Sequence, residues 1–289
     1  MSAEPWTFGR LLQWTTNFLK EKQADSPRLD AEVLLAHVVG CQRIGLYTRF
    51  EEVASDDVRA KYKQLVKQRV DGCPVAYLVG YKEFYNLKFI VSPAVLIPRP
   101  ETELLVMEAI RLAKPHTKPR ILDVGTGSGA IALTLAKHLP HAEIIACDIS
   151  PDALAIAQKN AELLGVSNRV QFVQSDLFAG IPAQQFDFIV SNPPYIATKV
   201  VSELPVNVRN YEPKLALDGG PLGTEVIARL ASAGKPFLRP AGYLLMEIGY
   251  DQGKTVPALL EAEGGYQAVT VLPDPAGLPR LVIAQRSSS

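Results

Sequence analysis

Cysteine is scarce: the 289 residues hold three, Cys41, Cys73 and Cys147, with no Cys-x-x-Cys spacing. That excludes a disulfide framework and a cysteine zinc site, and leaves them as reduced packing residues. An excess of one charge is missing too, because 30 Lys and Arg balance 30 Asp and Glu. The chain therefore lacks the overall basic footprint that nucleic-acid binders carry, and no stable nucleic-acid partner is expected. No apolar run is long enough to span a bilayer, and residues 1–10 lack the basic start and apolar stretch of a signal peptide. A cytoplasmic protein with no membrane association is expected. His37, His116, His138 and His141 show no metal-ligand spacing, so no metal is expected. Internal repeats are absent, and low complexity is confined to Ser287-Ser288-Ser289. What is present is a 47% hydrophobic, 21% charged composition able to bury a sizeable core, over a length that suggests two domains.

Helical spacing marks the first 75 residues. Leu11, Leu12, Thr15, Phe18 and Leu19 share one helix face. A second helix starts at Ser26-Pro27, where Ser26 can cap and Pro27 suits the first turn, and it runs to Gly40. A third starts near Ser55 and stops at Gly72-Cys73-Pro74. Alternation at Leu87, Phe89 and Val91 then predicts a strand or hairpin. An amphipathic helix follows over residues 101–113. Beyond it, β-prone runs at 121–124, 143–147, 170–173, 186–190 and 243–248 alternate with helical segments, the sign of a parallel, doubly wound sheet. Two further runs within 266–284 would close that sheet antiparallel. The division expected is a helical domain over 1–75, a linking hairpin over 76–100 and an α/β domain over 101–289.

Asp123-Val124-Gly125-Thr126-Gly127-Ser128-Gly129 follows a strand and opens a helix, so its glycines permit a tight turn and close approach of a ligand to the backbone. Alone, it fits a methyl donor or a nicotinamide or flavin dinucleotide equally, since Gly125, Gly127 and Ala130 also satisfy G-x-G-x-x-A. Asp148, 19 residues after Gly129, ends the next strand, where a carboxylate can accept ribose hydroxyls. Asp176 ends the third, placed to accept from an adenine amino group, with Leu177 and Phe178 flanking the ring.

Asn192-Pro193-Pro194-Tyr195 ends the fourth strand, at the same sheet edge. An amide or exocyclic amino nitrogen delocalises its lone pair and attacks a methyl sulfonium poorly, so it must be localised and aimed. The Asn192 side-chain oxygen and the Pro193 carbonyl can accept its two N–H bonds, and Pro193 and Pro194 offer no N–H to compete. Tyr195 can stack on the planar group. A dinucleotide-dependent reaction gives this motif no role. An ordinary Asn-Pro-Pro turn is the plain alternative.

With these residues assembled, the sequence resembles the peptide chain release factor glutamine methyltransferases. The resemblance rests on Leu96-Ile97-Pro98-Arg99-Pro100-Glu101-Thr102-Glu103, Gly125-Thr126-Gly127-Ser128-Gly129, Ser191-Asn192-Pro193-Pro194-Tyr195, Tyr211-Glu212-Pro213 and Glu247-Ile248-Gly249. It implies a Rossmann-like seven-stranded methyltransferase sheet behind a small helical substrate-recognition domain. S-adenosylmethionine would be bound by Gly125, Thr126, Gly127, Ser128, Gly129, Asp148, Asp176, Leu177 and Asn192. Catalysis and substrate binding would fall to Asn192, Pro193, Pro194 and Tyr195. The implied substrate is the glutamine of a Gly-Gly-Gln loop in release factors, methylated at its amide nitrogen by a monomeric enzyme. Pro275 departs from the aliphatic residue usual there and puts the last hairpin in question. The Asn-Pro-Pro-Tyr motif is shared with adenine and guanine amino methyltransferases, the alternative reading. A non-catalytic module retaining the fold is a third.

Overall fold

The structure, a computed structural model, describes residues 4–288. Residues 1–3 and Ser289, the ends of the expected outer domains, lie outside the described residues. The chain divides into two compact units, one reaching Gly80 and including Val206–Tyr211, the other formed by Tyr81–Pro205 and the chain from Glu212 onward.

The first unit is helical: α1 (Phe8–Glu21), α2 (Pro27–Val39), α3 (Arg43–Thr48), α4 (Asp56–Val70) and α5 (Val75–Val79). Thr7 and Ser55 cap α1 and α4 by accepting from Arg10 N and Val58 N, whereas Ser26 occupies the cap of α2 without a side-chain bond. Gly40, left-handed at φ 73°, ends α2 as expected. Phe8, Leu12, Leu19, Leu34, Leu35, Leu46 and Tyr62 form the unit's fully buried centre. Three ion pairs on two buried carboxylates organise its polar side. Asp30 meets Arg69 at 2.7 Å, joining α2 to α4, and buried Glu32 accepts from Arg28, Arg43 and Tyr47. The six-residue α3 and five-residue α5 were not anticipated, being too short to carry a periodic signal.

The second unit opens with the hairpin β1 (Tyr81–Phe84) and β2 (Leu87–Ile90). Its two-residue turn places Tyr85 and Asn86 at φ 50° and 58°, the left-handed pair that tight hairpins require. There follow α6 (Glu103–Ala113), β3 (Arg120–Val124), α7 (Ala130–His138), β4 (Glu143–Asp148), α8 (Pro151–Leu163), β5 (Val170–Gln174) and β6 (Phe186–Ser191). The short α9 (Thr198–Val201) is succeeded by α10 (Val206–Arg209), which belongs to the helical unit; there Val206 lies beside Gly72 and the Tyr211 hydroxyl donates to Asp71 O. The chain finishes with α11 (Glu225–Gly234), β7 (Leu238–Glu247), α12 (Thr255–Glu263), β8 (Tyr266–Pro273) and β9 (Pro279–Arg286).

The sheet runs β5-β4-β3-β6-β7-β9-β8, parallel through β7, with β9 antiparallel to β7 and β8 antiparallel to β9. This is the Rossmann-like seven-stranded sheet. Both faces are covered. Leu105, Val106, Ile131 and Leu135 pack with Ile121, Ile144 and Phe188 on one side, and Ile227, Leu230, Val256 and Leu260 pack with Leu122, Ile189 and Leu244 on the other. Two-sided burial explains why the strands read as continuous apolar runs. The last hairpin accommodates Pro275. Asp274 Oδ1 accepts from Ala276 N and Leu278 N, so the turn needs no N–H from the proline. No described helix is long and apolar enough to cross a membrane.

Strand order reverses between β3 and β6. The crevice outside their carboxyl ends is where open α/β sheets hold ligands.

Candidate active site

The carboxyl ends of β3 and β6 are stitched together before either chain turns away. Ser191 Oγ donates to Val124 O at 2.7 Å, while Gly125 N and Thr126 N both donate to Cys147 O at the end of β4. Beyond this seam lies a cavity of about 290 Å³. Its walls come from most of residues 94–99, Thr102, residues 125–128 of the glycine turn, Asp148, Asp176, Leu177, Asn192, Pro194, part of residues 213–218, and Arg229.

Gly125 and Gly127 stand at φ 74° and 56°, and a Cβ at either would enter open space. The turn is thus left-handed and bare on its cavity side, as glycine alone readily allows. Gly129 is different. It caps α7 at φ 82°, a Cβ there would lie 2.8 Å from Leu133 Cδ1, and it is not among the lining residues. Its hydrogen atom lets α7 and α8 pack, so of the glycines expected at the ligand only Gly125 and Gly127 line the cavity. Thr126 and Ser128, both buried, line it as well.

Three carboxylates surround the turn. Asp123 is fully buried beneath it; its Oδ2 accepts from Thr126 Oγ1 at 2.6 Å and Ala132 N at 3.2 Å, while Oδ1 has no partner among the described residues. Burial pushes this carboxyl up to about 7, against the two hydrogen bonds that favour its ionised form. Asp148 accepts Gly127 N on Oδ2 and Ser150 N on Oδ1, leaving lone pairs on both oxygens. Burial raises it as well, opposed by the same N–H groups. Ser150, not Asp148, caps α8 by accepting from Ala153 N. Asp176 is exposed, and both its oxygens accept from Arg229 Nη2, at 3.0 and 2.9 Å. Leu177 lines the cavity beside it, but Phe178 is buried and stacks on Phe237 at 5.0 Å.

Asn192 begins the turn after β6. Its Nδ2 donates to Thr102 Oγ1 at 3.1 Å, and among the described residues no donor reaches its Oδ1 or the Pro193 carbonyl. Two adjacent residues therefore carry acceptors without a donor. Asn192 and Pro194 line the cavity, whereas Pro193 is buried. The Tyr195 ring, expected to stack on substrate, packs against the apolar layer of α11 and α12, and its hydroxyl donates to Glu247 Oε1 at 3.1 Å. Burial raises the Tyr195 hydroxyl far above its ordinary value, and the neighbouring Glu247 adds to the rise.

The excursion after the turn is fastened at its base. Ile196 N donates to Leu217 O, Gly219 N to Ile196 O and Thr198 N to Gly220 O. Gly219 and Gly223 pass so close that a Cβ would fall 2.7 Å from Pro194 O or 2.6 Å from Tyr195 O. Gln252, buried, donates from one Nε2 to both Tyr195 O and Gly223 O at 3.0 Å. Glu212, also buried, clamps Arg99 through Oε1 and accepts Ile97 N through Oε2. Arg99 thus lines the cavity as half of an ion pair. Gln252 and Arg229 carry no mark in the local pattern that would single them out, and Thr102 and Glu212 stand there only inside longer motifs. No group of His, Cys, Asp and Glu able to hold a metal occurs among the described residues.

Comparison with known proteins matches this architecture. Residues 10–80 fit the PrmC N-terminal domain and residues 101–207 the Methyltransferase small domain. In fold, the chain is similar to the hMettl16 catalytic domain solved in complex with the MAT2A 3'UTR hairpin 6, at a TM-score of 0.55 and 20% identity, over 78% of this chain and 82% of that one. In sequence it is 42% identical to the release factor glutamine methyltransferase of Geobacter sulfurreducens over 96% of each chain. Against the release factor glutamine methyltransferase of Rhodopirellula baltica, identity reaches 49% over 98% of this chain and 97% of that one. With both units matched end to end and the site residues set at the switch point of the sheet, the chain belongs to the release factor glutamine methyltransferase family.

Proposed function

We propose that this protein transfers the methyl group of S-adenosylmethionine to the side-chain amide nitrogen of the glutamine in the Gly-Gly-Gln loop of peptide chain release factors. The observation that carries the reading is the pair of acceptors left without a donor among the described residues, Asn192 Oδ1 at the cavity and the adjacent Pro193 O, in a turn that has no N–H at its two prolines. A primary amide presents two N–H bonds. Accepting both draws the nitrogen toward a tetrahedral shape and aims its lone pair, so positioning and preorganised dipoles replace a strong base.

The residues of the cavity fit the methyl donor. Gly125 and Gly127 leave a bare cradle, and Asp148 keeps acceptor capacity for two ribose hydroxyls. Thr126, Ser128, Leu177 and Asn192 complete that side, with Asp176 offered to the adenine amino group. S-adenosylmethionine supplies an electrophilic methyl when bound. The chain's own work is to bind it, exclude water and hold the glutamine amide; Asn192 and Pro193 do the last, with Pro194 and Tyr195 fixing the shape of the turn.

The helical unit is read as the part that docks the release factor, and the enzyme as a cytoplasmic monomer without a stable nucleic-acid partner. Equal numbers of acidic and basic residues support this over base methylation. The test is transfer of labelled methyl to a purified release factor beside the same factor with its loop Gln changed to Ala. Label on the first alone is expected. Label on neither, with transfer to RNA or DNA, would overturn the glutamine assignment.

A further inference from the structure

We infer that Thr102 and Glu247 are positioning residues that fix which way the Asn192 amide faces. This rests on the reading of Asn192 as an acceptor for the substrate N–H. An asparagine side chain is nearly symmetric in shape but opposite in polarity at its two ends. With Oδ1 toward the cavity it can hold an amino group; turned over, it would set its own N–H2 against the substrate's. Nothing in the Asn-Pro-Pro-Tyr turn chooses between these.

The choice is made two residues away in space and far away in sequence. Glu247, at the end of β7 and 1% exposed, accepts the Thr102 hydroxyl on Oε2 at 2.6 Å and the Tyr195 hydroxyl on Oε1 at 3.1 Å. The shorter distance is that of a hydroxyl donating to a carboxylate. A hydroxyl has one proton. Spent on the Glu247 carboxylate, whose ionised form the Thr102 and Tyr195 hydroxyls favour against its burial, it leaves Thr102 Oγ1 able only to accept, and the group it faces, 3.1 Å away, is the N–H2 of Asn192. The chain of bonds runs one way, from Asn192 to Thr102 to Glu247. Its consequence is an Asn192 oxygen aimed away from Thr102 without help from any ligand. Tyr195 belongs to the same device, because its hydroxyl occupies the second carboxylate oxygen and keeps Glu247 from turning.

A double-mutant cycle with an independent spectroscopic reading tests this. Thr102→Val keeps volume and removes the hydroxyl. It is expected to lower kcat roughly tenfold to hundredfold, with the KM for release factor and the Kd for S-adenosylmethionine within about twofold of the parent. Thr102→Ser should recover most of that loss. In an Asn192→Ala background Thr102→Val should change kcat by less than about twofold, because the group being oriented is gone. In the free enzyme, the side-chain amide protons of 15N-labelled Asn192 should exchange with water slowly in the parent and at least about tenfold faster in Thr102→Val. Losses that multiply across the cycle, or unchanged exchange, would overturn the inference. If Thr102→Val fails to bind the methyl donor, Glu247→Gln takes its place, since a glutamine can present either end to Thr102 and should give a smaller loss that Asn192→Ala again masks. Failure of the glutamine reading shows separately, as a parent enzyme that does not label the release factor, while the exchange measurement needs no substrate.

Discussion

Two turns that leave neighbouring strands use the same backbone to opposite ends. The turn after β3 is built around glycines and presents bare Cα atoms, its N–H groups at Gly125, Thr126 and Gly127 being spent on Cys147 O and Asp148; the turn after β6 is built around two prolines and carries carbonyl and amide oxygens without donors. The first suits a ligand rich in hydroxyls and in need of close approach, the second a ligand whose reacting group is a donor. Joined at their roots by the 2.7 Å bond from Ser191 Oγ to Val124 O, they divide the site into a side bare of Cβ atoms at Gly125 and Gly127 and a side without an N–H at Pro193 and Pro194. The lesson is that removing an atom, a Cβ in one case and an amide hydrogen in the other, can specify a site as firmly as adding a charge.

That contrast can be broken at either turn. The largest effect is expected at the second. Asn192→Ala should lower kcat by about 10²- to 10³-fold, on the scale of losing one preorganised hydrogen-bonding group, and leave donor affinity nearly unchanged. Steady-state kinetics with donor binding by calorimetry reads both, and equal losses would contradict the division of labour.

Much of this was legible in the sequence, for identifiable reasons. Buried parallel strands are apolar runs bounded by turns, so every strand of the large sheet and its antiparallel closure could be located. Gly125, Gly127, Asp148 and Asn192 follow strands directly, and strand ends collect at one edge. Thr102 and Glu247 were quoted only as parts of longer motifs, because their bond joins positions 145 residues apart and no local pattern records it. Gly129 looked like its two neighbours but serves helix packing, a difference set by Leu133 and Ala157 in the folded chain. Asp176 could be placed at its strand end, yet its partner Arg229 lies on α11, 53 positions away.

At the first turn the expected effect is smaller and falls on the other quantity. Asp148→Ala removes a carboxylate that already holds Gly127 N and Ser150 N. Hydrogen bonds to a charged group are worth about 1.5–3 kcal/mol, so donor Kd should rise roughly tenfold to hundredfold while kcat at saturating donor changes little. A fall in kcat with unchanged Kd would assign Asp148 to the wrong turn.

A change that leaves turnover aside and falls on stability alone lies beneath both. Asp123 is raised to about 7 in the folded chain, well above the ordinary 3.8. Between those values the folded state holds a proton that the unfolded state has released. The contribution to stability is therefore complete below about pH 4 and is lost as pH rises toward 7. Asp123→Asn cannot titrate and should flatten that part of the profile, seen as a urea midpoint that changes less between pH 5 and 8 than the parent's. An unchanged profile would place the proton elsewhere.

The fastening of the excursion after Tyr195 has a consequence for tolerance to insertion. Because Gln252, Gly219, Gly223 and the Ile196 backbone lock its two feet to each other, the turn's shape does not depend on how far the chain travels in between. Each doubling of a closed loop adds only about 0.6 kcal/mol of closure entropy. Residues inserted at the stretch 202–205 would therefore lengthen the path without moving Asn192 Oδ1 or the Pro193 carbonyl, so the loop is a place where this scaffold can vary its length while the turn stays put.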